Sequence, residues 1–319
     1  MEEKLYIDQS IYKSLSESKK LTEKTNNWMK KVKQNFLYEL VPTFDYTKRI
    51  SRAFYKLYEL QQQFSLINNN TKKILCLCEA PGGFVEAILD ITNPSHIDAQ
   101  SIENSITFSK KIPKKIITYG DITKLPKQLT IIKKANLLNQ YDFITADGGI
   151  DVSNNYSQQE QLNTKLIAAQ IFVILYSLKQ GGNCIIKIYD SFTLPMIQLL
   201  WILHCNFEKI HFKKLTTSRP CNSEKYIVCL NYQKKGIYRN VLIHQFTNPE
   251  CSYIKNLNID VPEHYQNQIT RQNNNFAQIQ IHNLQETFKF KKSIQHKIKQ
   301  NQCSLNFFKK LKIHNHSYC

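Results

Sequence analysis

The chain has 319 residues, 42% of them hydrophobic, and 43 lysines and arginines against 25 aspartates and glutamates give a formal charge of +18. That hydrophobic share excludes global disorder, and the length allows one large domain with extensions or two modest ones. The positive excess favours a polyanionic partner, nucleic acid before anionic membrane, and the competing explanation is a solvated basic surface with no ligand.

No apolar run reaches membrane-spanning length, and the start MEEKLYIDQS lacks a signal-peptide pattern, so a soluble chain without a membrane partner is expected. The nine cysteines are odd in number, and no CxxC pair or Cys/His cluster has zinc spacing. Cys76, Cys78 and Cys184 sit inside apolar strands, where cysteine behaves as a small hydrophobe. The pattern predicts a reducing intracellular compartment and no structural metal.

Residues 1–46 read as a polar helical extension with a basic run at Lys30, Lys31 and Lys33. The segment YTKRISRAFYKLYELQQQF places Phe54, Leu57, Tyr58 and Phe64 at helical spacing. Ile74–Cys78 is a continuous apolar run and predicts a buried strand. It breaks at Ala80, Pro81, Gly82 and Gly83 and feeds a helix from Phe84. A second strand is expected over Ile102–Phe108, a third over Lys115–Gly120 and a fourth over Tyr141–Ala146. A long helix from Gln158 to Leu178 is expected to stop at Gly181 and Gly182. Asn183–Tyr189 is the next strand, and Pro195 opens a helix that runs through His204. Lys209–Leu215 and Lys225–Tyr232 leave no room for a helix between them, which predicts an antiparallel hairpin at the sheet edge. The fold class is therefore α/β, a mostly parallel sheet covered by helices on both faces. From Lys234 the composition turns rich in Asn, Gln, Lys and His, which fits either a helical basic extension or partial disorder. The expected division is 1–46, 47–233 and 234–319.

In a parallel sheet, ligands collect at the carboxyl ends of the strands. Asp121, Asp147 and Lys187 fall at such ends, Lys56 lies on the helix before the first strand, and Glu224 opens the last strand. Asp121 either caps the turn that follows or accepts a hydrogen bond from an adenine amino group. The two glycines after Asp147 suggest close approach of a ligand. Lys187, between isoleucines, is costly at that depth unless it is paired or functional.

SRAFYKL, LCEAPGGF, GDIT, ADGG, IIKIYDSFT and TSRPCNSEKYIVC stand in the order seen in the FtsJ-like RNA ribose 2′-O-methyltransferases, and the chain most resembles the cap-specific mRNA members of that group. The resemblance covers roughly residues 47–232. It implies a Rossmann-like sheet that binds S-adenosylmethionine beside the glycine turn, with RNA, the capped 5′ end of mRNA, as partner. A catalytic tetrad maps onto Lys56, Asp147, Lys187 and Glu224. Cofactor contacts map onto Glu79, Ala80, Pro81, Gly82, Gly83, Phe84, Asp121 and Asp147. Substrate contacts map onto Arg52, Ser157, Gln158, Gln159, Arg219 and Glu224. No acid that would hold a cofactor ribose follows the expected second strand, Glu103 being the nearest. The same fold also serves rRNA and tRNA ribose methyltransferases, and a catalytically inactive RNA-binding subunit is the alternative of a different class. By this resemblance Lys187 either accepts the proton of a ribose hydroxyl or stabilises the developing alkoxide as an ammonium.

Overall fold

The computed structural model describes residues 4–103, 106–150, 158–247 and 254–313. Seven strands form one sheet: β1 (Lys73–Leu77), β2 (His96–Ser101), β3 (Ile117–Tyr119), β4 (Tyr141–Ala146), β5 (Leu178–Ile188), β6 (Phe207–Lys213) and β7 (Lys225–Tyr232). Their spatial order is β3-β2-β1-β4-β5-β7-β6. The first five strands are parallel, and β7 runs antiparallel between β5 and β6, so the expected edge hairpin is present.

Helices α1 (Gln9–Glu23), α2 (Trp28–Asn35) and α3 (Ala53–Phe64) precede the sheet. Crossovers α4 (Gly83–Ile91), α5 (Leu125–Leu137), α6 (Gln159–Ser177) and α7 (Leu194–Asn206) connect its strands. Alternation along β1 sends Leu75 and Leu77 to one face, where they join Ile144, Ile186 and the apolar residues of α6 and α7. Ile74 and Cys76 face the other way, with Phe143, Ile185, Phe54 and Phe84. Both faces are covered, which is why these strands read as continuous apolar runs.

Three expectations are corrected. The second strand is His96–Ser101 and not Ile102–Phe108. Its alternation is masked by Asp98 and Gln100, both buried and both hydrogen-bonded, Asp98 to the Tyr141 hydroxyl at 2.6 Å and Gln100 to the Gly120 carbonyl at 2.6 Å. Lys115 and Ile116 belong to a short 3-10 turn ahead of β3. Gly181 and Gly182 do not end α6, which stops at Ser177 when Leu178 turns extended. They lie inside β5, where the register against β4 shifts between Tyr141 and Phe143.

The polar C-terminal region is helical: α8 (Arg239–Thr247), α9 (Glu263–Lys289) and α10 (Ile294–Lys310). Its amides are interior connectors. Asn273, 2% exposed, donates to the Tyr6 carbonyl at 2.8 Å and the Ser191 carbonyl at 2.6 Å, and accepts from the Ser191 hydroxyl at 2.7 Å. Gln300 donates to the Phe36 carbonyl at 2.8 Å, and Ser304 to the Leu37 carbonyl at 2.7 Å. A buried amide with its partners in place holds a unique packing, and here it ties α9 and α10 to the amino-terminal helices. Among the described residues no helix is long and apolar enough to cross a membrane.

Candidate active site

β1 and β4 run parallel, and the order in which strands are added reverses between them, the place where open α/β sheets bind ligands at the carboxyl ends of their strands. The Cys78–Gly83 turn leaves β1 there, and Asp147 leaves β4 with its amide bonded to the Leu77 carbonyl at 3.1 Å. Because β7 is antiparallel, its first residues reach the same end. Lys187 on β5 stands in register with Tyr226 on β7. Four side chains from four elements converge. Lys56 Nζ lies 2.7 Å from Glu224 Oε1, and Lys187 Nζ lies 3.3 Å from Asp147 Oδ1. Their side chains keep between 11% and 18% exposure, open enough for a ligand to reach.

Charge within the cluster is tightly balanced. Burial pushes Glu224 up, but Lys56, Lys187 and Lys214 together hold its carboxyl down at about 2. Burial would strip the proton from Lys187, yet Asp147, Tyr189 and Glu224 outweigh it and raise Lys187 above the usual lysine range. With no cation bound beside Asp147, Lys187 is an ammonium.

Three supporting residues escape a sequence reading. Tyr226 donates its hydroxyl to Asp147 Oδ1 at 2.8 Å. Lys214, enclosed beneath the 216–224 loop, donates to the carbonyls of Asn222 at 2.6 Å and Glu224 at 2.9 Å, and burial lowers its pKa to about 7. Glu59 sits one helical turn after Lys56 and accepts from the amides of Thr216 at 2.7 Å and Thr217 at 3.0 Å. Thus α3 grips both ends of the loop that presents Glu224. The i,i+3 spacing of Lys56 and Glu59 is the one signal that could have found Glu59. Ser218 completes the grip, donating to Glu224 Oε1 at 2.8 Å.

The glycine turn is built for packing as well as for approach. Gly82 has φ +110°, a left-handed conformation that favours glycine, and it caps α4. A Cβ on Gly83 would collide with Ser51 Oγ and stand 2.9 Å from Ala53 Cβ, so this glycine lets the start of α3 close onto the turn. Ala80 and Pro81 form the turn between them. Glu79, 3% exposed, accepts the Phe84 amide at 2.6 Å through Oε1, while its buried Oε2 has no partner among the described residues. Burial, then Asp147, push its pKa well up. The two glycines after Asp147 leave room for neighbouring side chains. A Cβ on Gly148 would stand 2.7 Å from Gln170 Oε1, and one on Gly149 would meet the Tyr189 hydroxyl and lie 3.2 Å from Lys187 Cε. Asp121 takes its capping role, accepting from the Thr123 amide at 2.9 Å and the Thr123 hydroxyl at 2.7 Å. Glu103 lies exposed after β2.

The expected substrate residues are placed as follows. Arg219 is held by Glu39 in a two-pronged ion pair of 2.9 and 3.0 Å. Arg52 donates to the carbonyls of Glu39 at 2.9 Å and Thr217 at 3.2 Å. Gln159 accepts from the Ser223 hydroxyl at 2.8 Å, Gln158 is exposed just ahead of α6, and Ser157 lies outside the described residues. Lys30 and Lys33 are exposed on α2, whereas Lys31 donates to the Phe288 carbonyl in the last turn of α9. Beside Glu224 lies a cavity of about 230 Å³ walled by Arg219, Gln159, Tyr189 and Trp28.

Residues 49–232 match the model of the FtsJ-like methyltransferase family. The cap-specific mRNA (nucleoside-2′-O-)-methyltransferase of Autographa californica nuclear polyhedrosis virus is 32% identical over 222 residues, which cover 66% of this chain and 84% of that protein. A probable methyltransferase of African swine fever virus is 33% identical over 210 residues, covering 57% of this chain and 49% of its own, so the chain spans about half the length of that relative. The cap-specific mRNA (nucleoside-2′-O-)-methyltransferase 1 of Xenopus laevis is 36% identical over 148 residues, 44% of this chain and 17% of that protein. The match takes in the strands, the glycine turn and all four clustered charges, and the chain belongs to the FtsJ-like methyltransferase family.

Proposed function

We propose that the protein transfers a methyl group from S-adenosylmethionine to the ribose 2′-hydroxyl of the first transcribed nucleotide of capped mRNA. The observation that carries this reading is the meeting of Lys56, Asp147, Lys187 and Glu224 at one end of the sheet, beside both the glycine turn and an open cavity. The names of the viral and Xenopus relatives support the substrate.

The residues present fit a cationic cofactor. Asp147 stands at the end of β4 with its carboxylate facing Lys187, and the buried carboxyl of Glu79 after β1 keeps one oxygen without a partner among the described residues. A carboxylate such as that of Asp147 is the group that welcomes a sulfonium and an ammonium. Bound there, S-adenosylmethionine supplies an electrophilic methyl group. Lys187 Nζ donates to the 2′-oxygen and aims its lone pair, since displacement at carbon needs a nearly linear approach. A cation bound beside Asp147 opposes the ammonium of Lys187 and shifts it toward the neutral form that can take the hydroxyl proton. Glu224, locked to Lys56, adds a second negative charge that favours the ammonium of Lys187. The 230 Å³ cavity next to Glu224 receives the acceptor nucleotide.

Incubation with labelled cofactor and capped, uncapped and structured RNAs, followed by mapping of the methylated nucleotide, tests the proposal. Label on the first nucleotide of capped RNA is expected. Label confined to structured rRNA or tRNA, or no transfer to any RNA, overturns it.

A further inference from the structure

The regions outside the family match, the amino-terminal helices and the C-terminal arm, meet in a basic groove. Its wall holds Lys30 and Lys33 of α2, Glu39, and Lys292, His296 and Lys297 around the start of α10, enclosing about 450 Å³. The four lysines are exposed, and none of them has an ion pair or a side-chain hydrogen bond among the described residues. Glu39 is the one acid in this wall, and its carboxylate is already taken by Arg219 at 2.9 and 3.0 Å. The groove therefore presents a concentrated positive charge with no internal counter-ion. It is also held in place: Gln300 donates to the carbonyls of Lys33 at 3.1 Å and Phe36 at 2.8 Å, which pins α10 to the end of α2.

The groove borders the candidate active site. Arg219, held by Glu39, is a wall of the acceptor cavity. His296 is shared with a second cavity of about 660 Å³ that reaches Lys214, Ser218 and Cys221, and Cys221 in turn lines the acceptor cavity. Concave walls, unpaired lysines and contact with a nucleotide-sized cavity fit a single polynucleotide strand and not a flat bilayer surface.

Resting on the function proposed above, we propose that this groove, built by the two extensions, holds the phosphodiester backbone of the transcript body as it leaves the acceptor nucleotide. The lysines act as point charges on successive phosphates and read no sequence. Neither extension belongs to the part of the chain that the family model matches.

The test compares the wild-type protein with Lys292→Ala/Lys297→Ala and with Lys30→Ala/Lys33→Ala. All four positions are exposed, and thermal melting checks that the fold is retained. Fluorescence polarisation measures binding of a capped dinucleotide and of capped transcripts of increasing length, each over a range of salt. Wild-type affinity is expected to rise with length. Each double variant is expected to lose about tenfold on the long transcripts and to flatten the logarithmic salt slope by about 1.4, two lost contacts on a single strand. Binding of the capped dinucleotide should not change. Equal binding of long RNA by variants and wild type overturns the groove, as does an equal loss on the dinucleotide. Since binding is read without turnover, a protein that binds long RNA through these lysines yet transfers no methyl group contradicts the proposed reaction and leaves the groove standing.

Discussion

Lys56 and Glu224 stand 168 positions apart in the chain and meet at 2.7 Å, and this pair couples the helix before the sheet to the loop that enters its last strand. Neither partner keeps more than 15% of its side chain exposed. Removing one leaves the other charge enclosed without its counterpart, a loss of about 3–5 kcal/mol in buried pairs. Chemical denaturation of Lys56→Ala, Glu224→Ala and the double variant is expected to give a coupling of about 1–3 kcal/mol. Strictly additive effects would show that the pair contributes no contact of its own.

Glu224 also sets an acid limit. Its carboxyl falls from the ordinary 4.5 to about 2 in the folded chain, so the unfolded chain binds the proton more readily. Its contribution is complete above pH 4.5 and is lost as pH falls toward 2, with a slope of at most about 1.4 kcal/mol per pH unit. Glu224→Gln is expected to flatten stability against pH in that window. An unchanged slope in the variant contradicts the ion-pair assignment.

Lys214 makes stability rise with pH as well, in a higher window and as a cost relieved instead of a gain. Its pKa drops from 10.5 to about 7, chiefly through burial, so the folded chain pays for the ammonium below pH 7 and is relieved as pH climbs from 7 to 10.5. Lys214→Met should remove that rise, and it should also loosen the loop by deleting the bonds to Asn222 and Glu224. Steady-state kinetics are expected to show a fall in kcat/KM on capped RNA. A variant with wild-type kinetics and an unchanged stability profile would remove Lys214 from the supporting frame.

Gly83 and Gly181 make a matched pair of alanine tests. At Gly83 the new methyl strikes Ser51 and Ala53, and overpacking of this kind costs about 1–3 kcal/mol. At Gly181 the space is open, with Asn231 Oδ1 3.9 Å away, and only the left-handed φ of +80° is strained, which costs about 1–2 kcal/mol. Gly83→Ala is expected to lower methyl transfer as well as melting temperature, because it pushes Lys56 away from Glu224. Gly181→Ala is expected to lower melting temperature alone. Equal activity in the two variants would dissociate the turn from the site.

Much of this arrangement is legible in the chain itself. Tyr141–Ala146 and Lys225–Tyr232 coincide with the expected strands because apolar runs and edge alternation are local signals. The strand His96–Ser101 is hidden, since buried Asp98 and Gln100 look like a loop until their partners Tyr141 and Gly120 are seen. Gly181 and Gly182 imitate a helix stop because a bulge and a C-cap ask for the same residue. The composition of the Asn- and Gln-rich tail fits a helical extension and partial disorder equally, because nothing local shows that Asn273 and Gln300 satisfy backbone carbonyls of distant segments. Within the site, the four clustered charges are marked by strand ends and motif order. Glu59, Lys214 and Tyr226 act through one loop whose path no local pattern encodes.

The charge state and position of Lys187, facing Asp147 at 3.3 Å, are the centre of the account, and one paired measurement reaches it most directly. Methyl transfer to capped RNA and calorimetric binding of S-adenosylmethionine are to be compared for wild type, Lys187→Ala and Lys187→Arg. Both variants should lose about 10²–10⁴-fold in transfer, arginine keeping the charge but being unable to release a proton, while cofactor affinity stays near the wild-type value. Full activity in either variant, or cofactor binding that falls in step with transfer, contradicts the assignment.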